Sequence, residues 1–243
     1  MISSFPPGLI MIIGALLIPF LPHIIRQTYM MVLILVSAYA LTLGFGIHSK
    51  IEIMDIQFII FQSDTLTLPF AIIFHIAAIL NVIYGAHEKD WNQHVAIMSY
   101  SGAAIAAVHA GDLLTLFVWW EATAFTSVFL ILASKTKRSY KSAFRYILIQ
   151  VGSGMFLLAG AILLMSETGN AEFKNFDIIL SPAMGGVIIG YEIGKLLKKE
   201  TIFCERDSGN FILRRGFLIK KNTRVLIVED VITTGKSSLE CIK

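Results

Sequence analysis

Long apolar runs dominate the first 165 residues of the chain. A helix needs about 20 predominantly apolar residues to cross the ~30 Å hydrocarbon core of a bilayer. Six runs approach that length, and we predict a membrane-spanning helix for each of them, at residues 5–22, 29–47, 66–84, 94–110, 112–133 and 143–165. Between the second and third runs, residues 51–56 alternate apolar and polar, which predicts a short hairpin or an interfacial strand.

The pattern changes after Phe176. Short apolar runs now predict a strand at 176–181, a loop at 182–186, a helix at 187–197, a second strand at 201–204 and a third strand at 224–230 that leads into a final helix. The basic stretch before residue 216 predicts an exposed hairpin or loop. Strands that alternate with helices favour a parallel α/β sheet. We therefore predict an α-helical membrane bundle of about six transmembrane helices, followed by an α/β segment.

The charged residues divide the chain at the same place. Residues 1–173 carry 8 of the 20 Lys and Arg and 9 of the 17 Asp and Glu, so about 10% of these positions are charged. Residues 174–243 carry the remaining 12 and 8, which is about 29%. This asymmetry excludes a secreted disulfide scaffold, a disordered chain and a uniform globular enzyme. The two cysteines, Cys204 and Cys241, lack metal-ligand spacing and are expected to be reduced thiols.

The basic residues between the predicted spans determine their orientation. Arg26 lies between the first and second spans, Lys89 between the third and fourth, and four basic residues lie between the fifth and sixth. The intervening loops contain only Lys50. Loops rich in Lys and Arg remain in the cytoplasm. We therefore expect a multi-pass protein of the cell (inner) membrane, with its N-terminus outside and the segment after the sixth span outside as well.

Three titratable side chains are predicted at membrane depth. Glu121 is near the middle of the fifth span, where a carboxylate costs several kcal/mol unless it is protonated, paired or hydrated. It is either a neutral, hydrogen-bonded structural residue or part of a proton or ion path. His75 in the third span and His109 near the end of the fourth could relay protons at neutral pH, or could be satisfied residues of the helix packing.

Two runs in this part carry a family resemblance: GDLLTLFVWWE at 111–121, and SAFRYILIQVGSG at 142–154, after a basic loop. They resemble the antiporter-like subunits of respiratory complex I (NADH-quinone oxidoreductase) and of the Mrp-type sodium/proton antiporters. The resemblance covers roughly residues 1–170 and implies that Glu121 takes part in proton translocation, within a larger assembly of subunits. That family also uses a lysine in a seventh span, which has no counterpart here, so we expect half of the proton path to be missing.

The third predicted strand of the α/β segment ends in candidate ligand-binding residues. Glu229 and Asp230 fall at the carboxyl edge of the predicted sheet, where α/β folds bind ligands, and a pair of carboxylates suits the vicinal hydroxyls of a ribose. The hydroxyl and backbone N–H groups that follow are typical of a phosphate site at a helix N-terminus, and they belong to Thr233, Thr234, Gly235, Lys236 and Ser237. A P-loop is excluded because residue 230 is not glycine.

The run VLIVEDVITTG at 225–235, with SPAMGG at 181–186, resembles the orotate phosphoribosyltransferases among the type I phosphoribosyltransferases. The resemblance covers about residues 176–243. It implies that Glu229 and Asp230 hold the ribose of phosphoribosyl pyrophosphate, supplied with Mg²⁺, and that residues 233–237 hold its 5′-phosphate. It further implies that the pyrophosphate is cradled by Ala183, Met184, Gly185 and Gly186, and that the mobile-loop cations are Arg206, Arg214 and Arg215. Ser208 and Asn210 depart from the family pattern.

We therefore expect a transmembrane antiporter-like domain at 1–170, a junction at 171–175 and a partial phosphoribosyltransferase domain at 176–243. The expected partners of the whole chain are the lipid bilayer, other subunits of an antiporter or complex I-like assembly, phosphoribosyl pyrophosphate and orotate. We expect no resident metal and no nucleic acid. Three hypotheses remain open: a composite without the full activity of either parent, a subunit of an antiporter or proton-pumping complex, and a membrane-anchored orotate phosphoribosyltransferase. The family's orotate-binding hood and its later strands have no counterpart in the sequence, which favours the composite.

Overall fold

The chain folds into two compact units, Met1–Phe173 and Lys174–Lys243. The computed structural model describes residues 6–46, 48–53, 56–173, 176–213, 215–230 and 236–242, with the backbone alone at residues 168 and 236. Each unit has its own clusters of buried apolar side chains. The division falls where the charge density of the sequence changes.

The first unit is helical except for one hairpin. In chain order its elements are α1 (Gly8–Ala15), α2 (His23–Leu43), β1 (His48–Ile53), β2 (Ile56–Gln62), α3 (Thr67–Tyr84), α4 (Trp91–Val108), α5 (Leu113–Leu132) and α6 (Lys137–Thr168). Within the described residues, four of the helices are long and apolar enough to cross a membrane: α2, α3 with the following 3₁₀ turn, α5 and α6. The prediction of a helical membrane region is confirmed, whereas the count of six spans is not.

The predicted first span, 5–22, is shorter than a membrane helix in its described part. Helix α1 has 8 residues and is followed by a 3₁₀ turn at Ile18–Phe20. At a rise of ~1.5 Å per residue, α1 is only about 12 Å long. Pro19 and Pro22 account for the break, because proline lacks an N–H group and disfavours helical geometry in the residue before it.

The predicted fourth span, 94–110, corresponds to α4, which lies inside the helix bundle against α1, α3 and α5. Its first turn contains Asn92, Gln93 and His94, which lower its hydropathy and explain why α4 is not one of the four apolar helices. Gly102 of α4 faces Gly8 of α1 so closely that a Cβ on either glycine would overlap the other backbone. Small residues that allow such close approach are typical of helix packing in membranes.

One end of the bundle is built around the hairpin. Strands β1 and β2 pair antiparallel, as the alternating pattern at 51–56 predicts. The N–H of Gly111 donates to the carbonyl of Ile59 (3.0 Å), which ties the α4–α5 turn to β2. Lys50 Nζ of β1 lies 2.8 Å from Glu172 Oε1, just beyond α6. The hairpin, the α4–α5 turn and the end of α6 therefore lie together, and this end is called the hairpin end below.

The three basic loops meet at the opposite end. Arg26 Nη1 donates to the carbonyl of Lys89 (3.1 Å), and Lys135 Nζ lies 3.3 Å from Asp90 Oδ2. Helix α6 begins beside this basic end at Lys137 and finishes at the hairpin end. The chain therefore leaves the first unit at the end that lacks the basic cluster.

The second unit is an α/β sheet with two helices. Its elements are β3 (Ile178–Pro182), α7 (Gly185–Leu197), β4 (Glu200–Asp207), β5 (Asn210–Leu213), β6 (Val225–Ile227) and α8 (Lys236–Cys241). The strand order is β5-β4-β3-β6. Strand β3 is parallel to both β4 and β6, whereas β5 is antiparallel to β4. The predicted α/β region is present.

Two details differ from the sequence prediction. The predicted exposed hairpin forms between β4 and β5, and its antiparallel pairing makes the sheet mixed rather than purely parallel. The reversal occurs at Ser208 (φ 50°) and Gly209 (φ 93°), and a two-residue connection can join only antiparallel strands. Strand β6 covers only Val225–Ile227 of the predicted strand at 224–230.

The positions of the two ends predict the topology of the chain in a membrane. Because basic loops remain in the cytoplasm, a reporter fused after Lys141 should be cytoplasmic. Reporters fused after Lys50 and after Glu172 should both report the opposite side, since the two residues form an ion pair at the hairpin end. Alkaline phosphatase and fluorescent-protein fusions measure this directly. A cytoplasmic signal after Glu172 would contradict the arrangement.

Candidate functional site

Glu121 lies on α5 with its carboxyl group against α6. Its Oε1 atom is buried and has no hydrogen-bond partner among the described residues. The space for this oxygen exists because residue 154 of α6 is glycine, since a Cβ at that position would overlap Glu121 Oε1. An acid that lacks donors in an apolar setting favours its protonated form. The arrangement suits a group that takes up and releases a proton.

The interface between α5 and α6 offers further polar groups that the sequence pattern did not single out. The hydroxyl groups of Ser127 and Tyr146 lie 2.8 Å apart across the two helices. Ser127 is six residues beyond Glu121 on α5, so it lies about 9 Å further along the helix, toward the basic end. Single hydroxyl residues among apolar ones are too common in a sequence to indicate a proton path. Only the packing of α5 against α6 brings Ser127 and Tyr146 together.

His75 is buried on α3 and joins three elements of the bundle. Its Nδ1 lies 2.7 Å from the carbonyl of Ala71, and its Nε2 lies 2.9 Å from Ser37 Oγ of α2. Ser37 Oγ also lies 2.9 Å from the carbonyl of Pro7, at the start of α1. Because a carbonyl accepts only, Nδ1 carries a proton, and the single hydroxyl proton of Ser37 faces two acceptors when the imidazole is neutral.

His109 is fully buried at the hairpin end rather than at mid-membrane. Its Nδ1 donates to the carbonyl of Ile105 (2.8 Å), and its ring stacks on Phe61 at a centroid distance of 5.2 Å. Among the described residues, no hydrogen bond joins His75, His109 and Glu121 to one another. The structure thus distributes the three predicted groups over separate helices.

In the second unit, the first turn of α7 lies against the residues that follow β6. A Cβ on Gly185 would overlap the carboxylate of Asp230, and a Cβ on Gly186 would overlap the carbonyl of Val228. The N–H of Val228 donates to the carbonyl of Leu180 (3.0 Å), which continues the pairing of β6 with β3. The two predicted ligand loops are therefore adjacent, and the glycines are what permits their close approach.

The acidic pair differs in exposure. Asp230 is exposed, and Met184 of the facing loop is 86% exposed. Glu229 is half-buried and accepts a hydrogen bond from the Ser238 hydroxyl of α8 (2.6 Å). Ser237 is part of α8, whereas Thr233, Thr234, Gly235 and the side chain of Lys236 lie outside the described residues. Ala183 lies in the loop that follows β3, between Pro182 and Met184.

The predicted mobile-loop cations lie on and beside the β4–β5 hairpin. Arg206 pairs with Glu240 of α8 (Nη2 to Oε2, 2.5 Å) and stacks on Phe211 (4.6 Å to the ring centroid). Arg215 lies 3.4 Å from Glu205 Oε1. Both guanidinium groups therefore form ion pairs within the second unit. Arg214 lies outside the described residues.

A cavity that the sequence did not predict lies between α7 and the sheet. It has a volume of about 310 Å³, and its lining includes Tyr191 of α7, Phe203 of β4 and Phe217. Ser181 also lines it, and its buried hydroxyl has no partner among the described residues. No cluster of metal-ligating side chains is found in the described part of the chain.

The comparisons with known proteins agree with both resemblances. Residues 110–197 match the family described as NADH:quinone oxidoreductase/Mrp antiporter, TM. A chain from the Mrp complex of Dietzia sp. DQ12-45-1b is similar in structure, with a TM-score of 0.60 and 19% identity over 68% of this chain and 20% of that chain. At this identity the likeness shows the fold alone.

Curated relatives named orotate phosphoribosyltransferase match between 28% and 47% of the chain. The protein from Sphingopyxis alaskensis is 43% identical over 115 residues, which are 47% of this chain and 57% of the relative. The proteins from Erythrobacter litoralis and Methylorubrum extorquens are 57% identical over 67 residues and 51% identical over 79 residues. The matches span 35% and 40% of those two relatives, so the chain covers only part of each.

The chain therefore combines a segment like an antiporter-type membrane subunit with a segment like an orotate phosphoribosyltransferase. The antiporter family match ends at residue 197, beyond the division of the two units at residue 173. In the structure, residues 178–197 form β3 and α7 of the α/β sheet. This overlapping stretch therefore belongs to the α/β unit of the structure.

The recess at Gly154 predicts the behaviour of the Glu121 carboxyl group. In Gly154→Ala, the added methyl group should force Glu121 Oε1 out of its buried position. Labelling of Glu121 by a membrane-permeant carbodiimide, measured by mass spectrometry of the purified chain, should then become several-fold faster. Gly152→Ala is the matched control, because a Cβ there has nothing within 4 Å. Equal labelling rates in both variants would contradict the packing.

Proposed function

We propose that residues 1–170, within the first unit, form a transmembrane antiporter-like domain in which Glu121 carries a proton. The supporting observation is the buried Oε1 atom of Glu121, which faces Gly154 and has no partner among the described residues. A carboxyl group without a fixed donor exchanges its proton with water or with a neighbouring carrier at little structural cost. The hydroxyls of Ser127 and Tyr146 offer a continuation toward the basic end.

In this proposal His75 and His109 are secondary members of the path. His75 has a hydroxyl neighbour, Ser37, whose proton can point to either of two acceptors. His109 lies near the hairpin end, where protons from the outer side would enter. The separation of these groups from Glu121 requires intervening water, which relays protons between groups that do not touch.

The partners of this domain are proposed to be the lipid bilayer and other subunits of an Mrp-like or complex I-like assembly in the cell (inner) membrane. The similarity to a chain of the Mrp complex supports this proposal. Only 11% of the apolar stretch of helix α6 is buried by the rest of the protein. Most of its surface therefore needs lipid or another subunit as a neighbour. A chain with several such helices is a multi-pass protein.

Substitution of Glu121 is the first experimental test of the proposal. In membranes that contain the assembled complex, Glu121→Ala should lower proton-coupled transport by roughly two orders of magnitude or more, because a positioned proton-transfer group is lost. Glu121→Asp should retain part of the rate. Proton flux measured with a pH-sensitive dye in inverted vesicles provides the readout, and blotting checks insertion.

Glu167→Ala is the control for this test, since Glu167 is an exposed glutamate near the end of α6. It should transport at the rate of the unchanged protein. Full transport in Glu121→Ala would contradict the proposal and would mean that Glu121 serves only in helix packing.

For the second unit, residues 176–243, we propose a partial phosphoribosyltransferase domain that binds phosphoribosyl pyrophosphate with Mg²⁺ but does not turn over orotate. The approach of Gly185 to the carboxylate of Asp230 supports binding, because it brings together the two segments to which the resemblance assigns the pyrophosphate and the ribose. Glu229 and Asp230 would hold the ribose hydroxyls, and the backbone of Ala183 to Gly186 would face the pyrophosphate. The 5′-phosphate falls to residues 233–237.

Two observations support binding without turnover. Transfer of a ribose phosphate requires a closed site that excludes water and stabilises the developing charge. Here Met184 is 86% exposed and Asp230 is exposed, so this side of the site is open to solvent. Arg206 and Arg215, the predicted mobile-loop cations within the described residues, are paired with Glu240 and Glu205.

The second test therefore separates binding from catalysis. The full chain in detergent, given Mg²⁺ and phosphoribosyl pyrophosphate, should release heat of binding in calorimetry, and Glu229→Ala/Asp230→Ala should weaken the affinity about tenfold or more. Glu192→Ala, which changes an exposed carboxylate on α7, should leave the affinity unchanged. With orotate added, no orotidine monophosphate should form above the level of the double variant.

The outcome also decides between the composite and the alternatives. Turnover of orotate that disappears in Glu229→Ala/Asp230→Ala would favour a membrane-anchored orotate phosphoribosyltransferase in pyrimidine biosynthesis. Loss of transport in Glu121→Ala without any binding of phosphoribosyl pyrophosphate would favour a subunit of a proton-pumping or sodium/proton antiporter complex.

A further inference from the structure

The chain has only two cysteines, and the fold brings them together. Cys204 lies in β4 and Cys241 in α8, which places them 37 residues apart in sequence. Their sulfur atoms are 3.4 Å apart, and both thiols are free. A disulfide bond is about 2.05 Å long, so the sulfurs need to approach by a little over one ångström to be joined.

The two thiols differ in access. Cys204 is 3% exposed and belongs to the apolar cluster of Leu180 and Ile202. Cys241 is half-buried, on the last turn of a six-residue helix. A reagent from solution therefore reaches Cys241 first, and Cys204 is the neighbour that can respond.

We propose that Cys204 and Cys241 are a modification site, at which a low-molecular-weight disulfide oxidises the pair to an intramolecular disulfide that ties α8 to β4. The Cys241 thiolate attacks the disulfide of the reagent, which forms a mixed disulfide and releases one thiol. Cys204 then loses its proton and attacks the Cys241 sulfur, which releases the second thiol. Two electrons pass from the cysteine sulfurs to the reagent, and the two protons end on the released thiols.

The bond would act on the loop that contains the acidic pair. It closes the chain from Cys204 to Cys241 into a ring that includes Glu229 and Asp230. Helix α8 already contacts this pair, because the Ser238 hydroxyl donates to Glu229 Oε2 (2.6 Å). The bond would be a second attachment of α8 to the sheet, in addition to the ion pair of Arg206 with Glu240, and would hold Ser238 beside Glu229.

The chemical setting of Cys241 determines the speed of the reaction. Burial, together with the neighbouring Cys204 thiol, raises the pKa of Cys241 to about 12. Because the thiolate is the attacking species, oxidation is slow at neutral pH and accelerates as the pH rises. If the tail lies on the outer side of the membrane, as the basic loops predict, the bond persists there, since disulfides are stable in oxidising compartments.

Non-reducing peptide mapping tests the proposal. The full chain is purified in detergent, freed of reductant and treated with glutathione disulfide at about pH 8.5, because the higher pH raises the thiolate fraction. Trypsin then releases residues 200–206 and 237–243, each of which contains one cysteine. We expect these two peptides to be linked to each other within the monomer, and the link to disappear on reduction.

Three controls keep the result interpretable. In Cys204→Ala, glutathione should remain attached to Cys241, because no second thiol resolves the mixed disulfide. In Cys241→Ser, Cys204 should remain a free thiol. The unchanged chain in urea should accumulate glutathione on both cysteines and form a smaller share of the linked pair than the folded chain, which shows that the fold supplies the proximity.

Either of two results in the folded chain would overturn the proposal: glutathione that accumulates on Cys241 while Cys204 stays free, or links that join two copies of the chain. A ratio of linked to glutathione-bearing peptides no higher than in urea would overturn it as well. Since the readout is a peptide mass, it depends on neither proton transport nor ribose-phosphate binding.

Discussion

The buried carboxylate of Asp112 organises the hairpin end of the first unit. It is 1% exposed, and its oxygens accept the N–H of Thr115 (2.7 Å), the hydroxyl of Thr115 (2.8 Å) and the N–H of Ile59 (2.5 Å). Three donors make burial of this charge tolerable. Two of them come from the first turn of α5 and one from β2, so the same side chain starts α5 and attaches it to the hairpin. Because α5 begins at this point, Glu121 falls in the middle of the helix, opposite Gly154 of α6.

The two units are stabilised by different surroundings. In the first unit, most of α6 is uncovered by protein, and its exposed side chains include Phe144, Leu148 and Phe156. Such a surface is unfavourable in water and natural in lipid, where hydrogen bonds within each helix satisfy the backbone. In the second unit, the charges lie at the margins, as in the ion pair of Arg224 with Asp177 at the start of β6 (3.0 Å). The change in charge density along the sequence therefore marks a change of solvent.

Both candidate sites use a glycine to make room for a carboxylate, with different chemical consequences. Gly154 receives an oxygen of Glu121 that has no donor among the described residues, a setting that favours exchange of a proton. Gly185, at the start of α7, faces the exposed Asp230, whose carboxylate remains available to hydroxyl groups of a ligand. The solvent around each pair thus decides whether the acid transfers a proton or accepts hydrogen bonds.

The sequence by itself determined the two kinds of structure, the positions of most helices, the alternating pattern at 51–56 and the succession of strands and helices in the α/β segment, because apolar periodicity and charge density are local properties. It also singled out Glu121 and the acidic pair, since a carboxylate at membrane depth or at a strand end is conspicuous in the chain. Only the tertiary structure decided that Gly154 provides the space for Glu121, that Asp112 joins α5 to β2, and that Cys204 meets Cys241. These contacts join residues that are distant in the chain. The packing of helices and strands brings them together, and no local sequence pattern encodes that packing. The shortness of α1 was likewise missed, because hydropathy averages over the prolines that interrupt the helix.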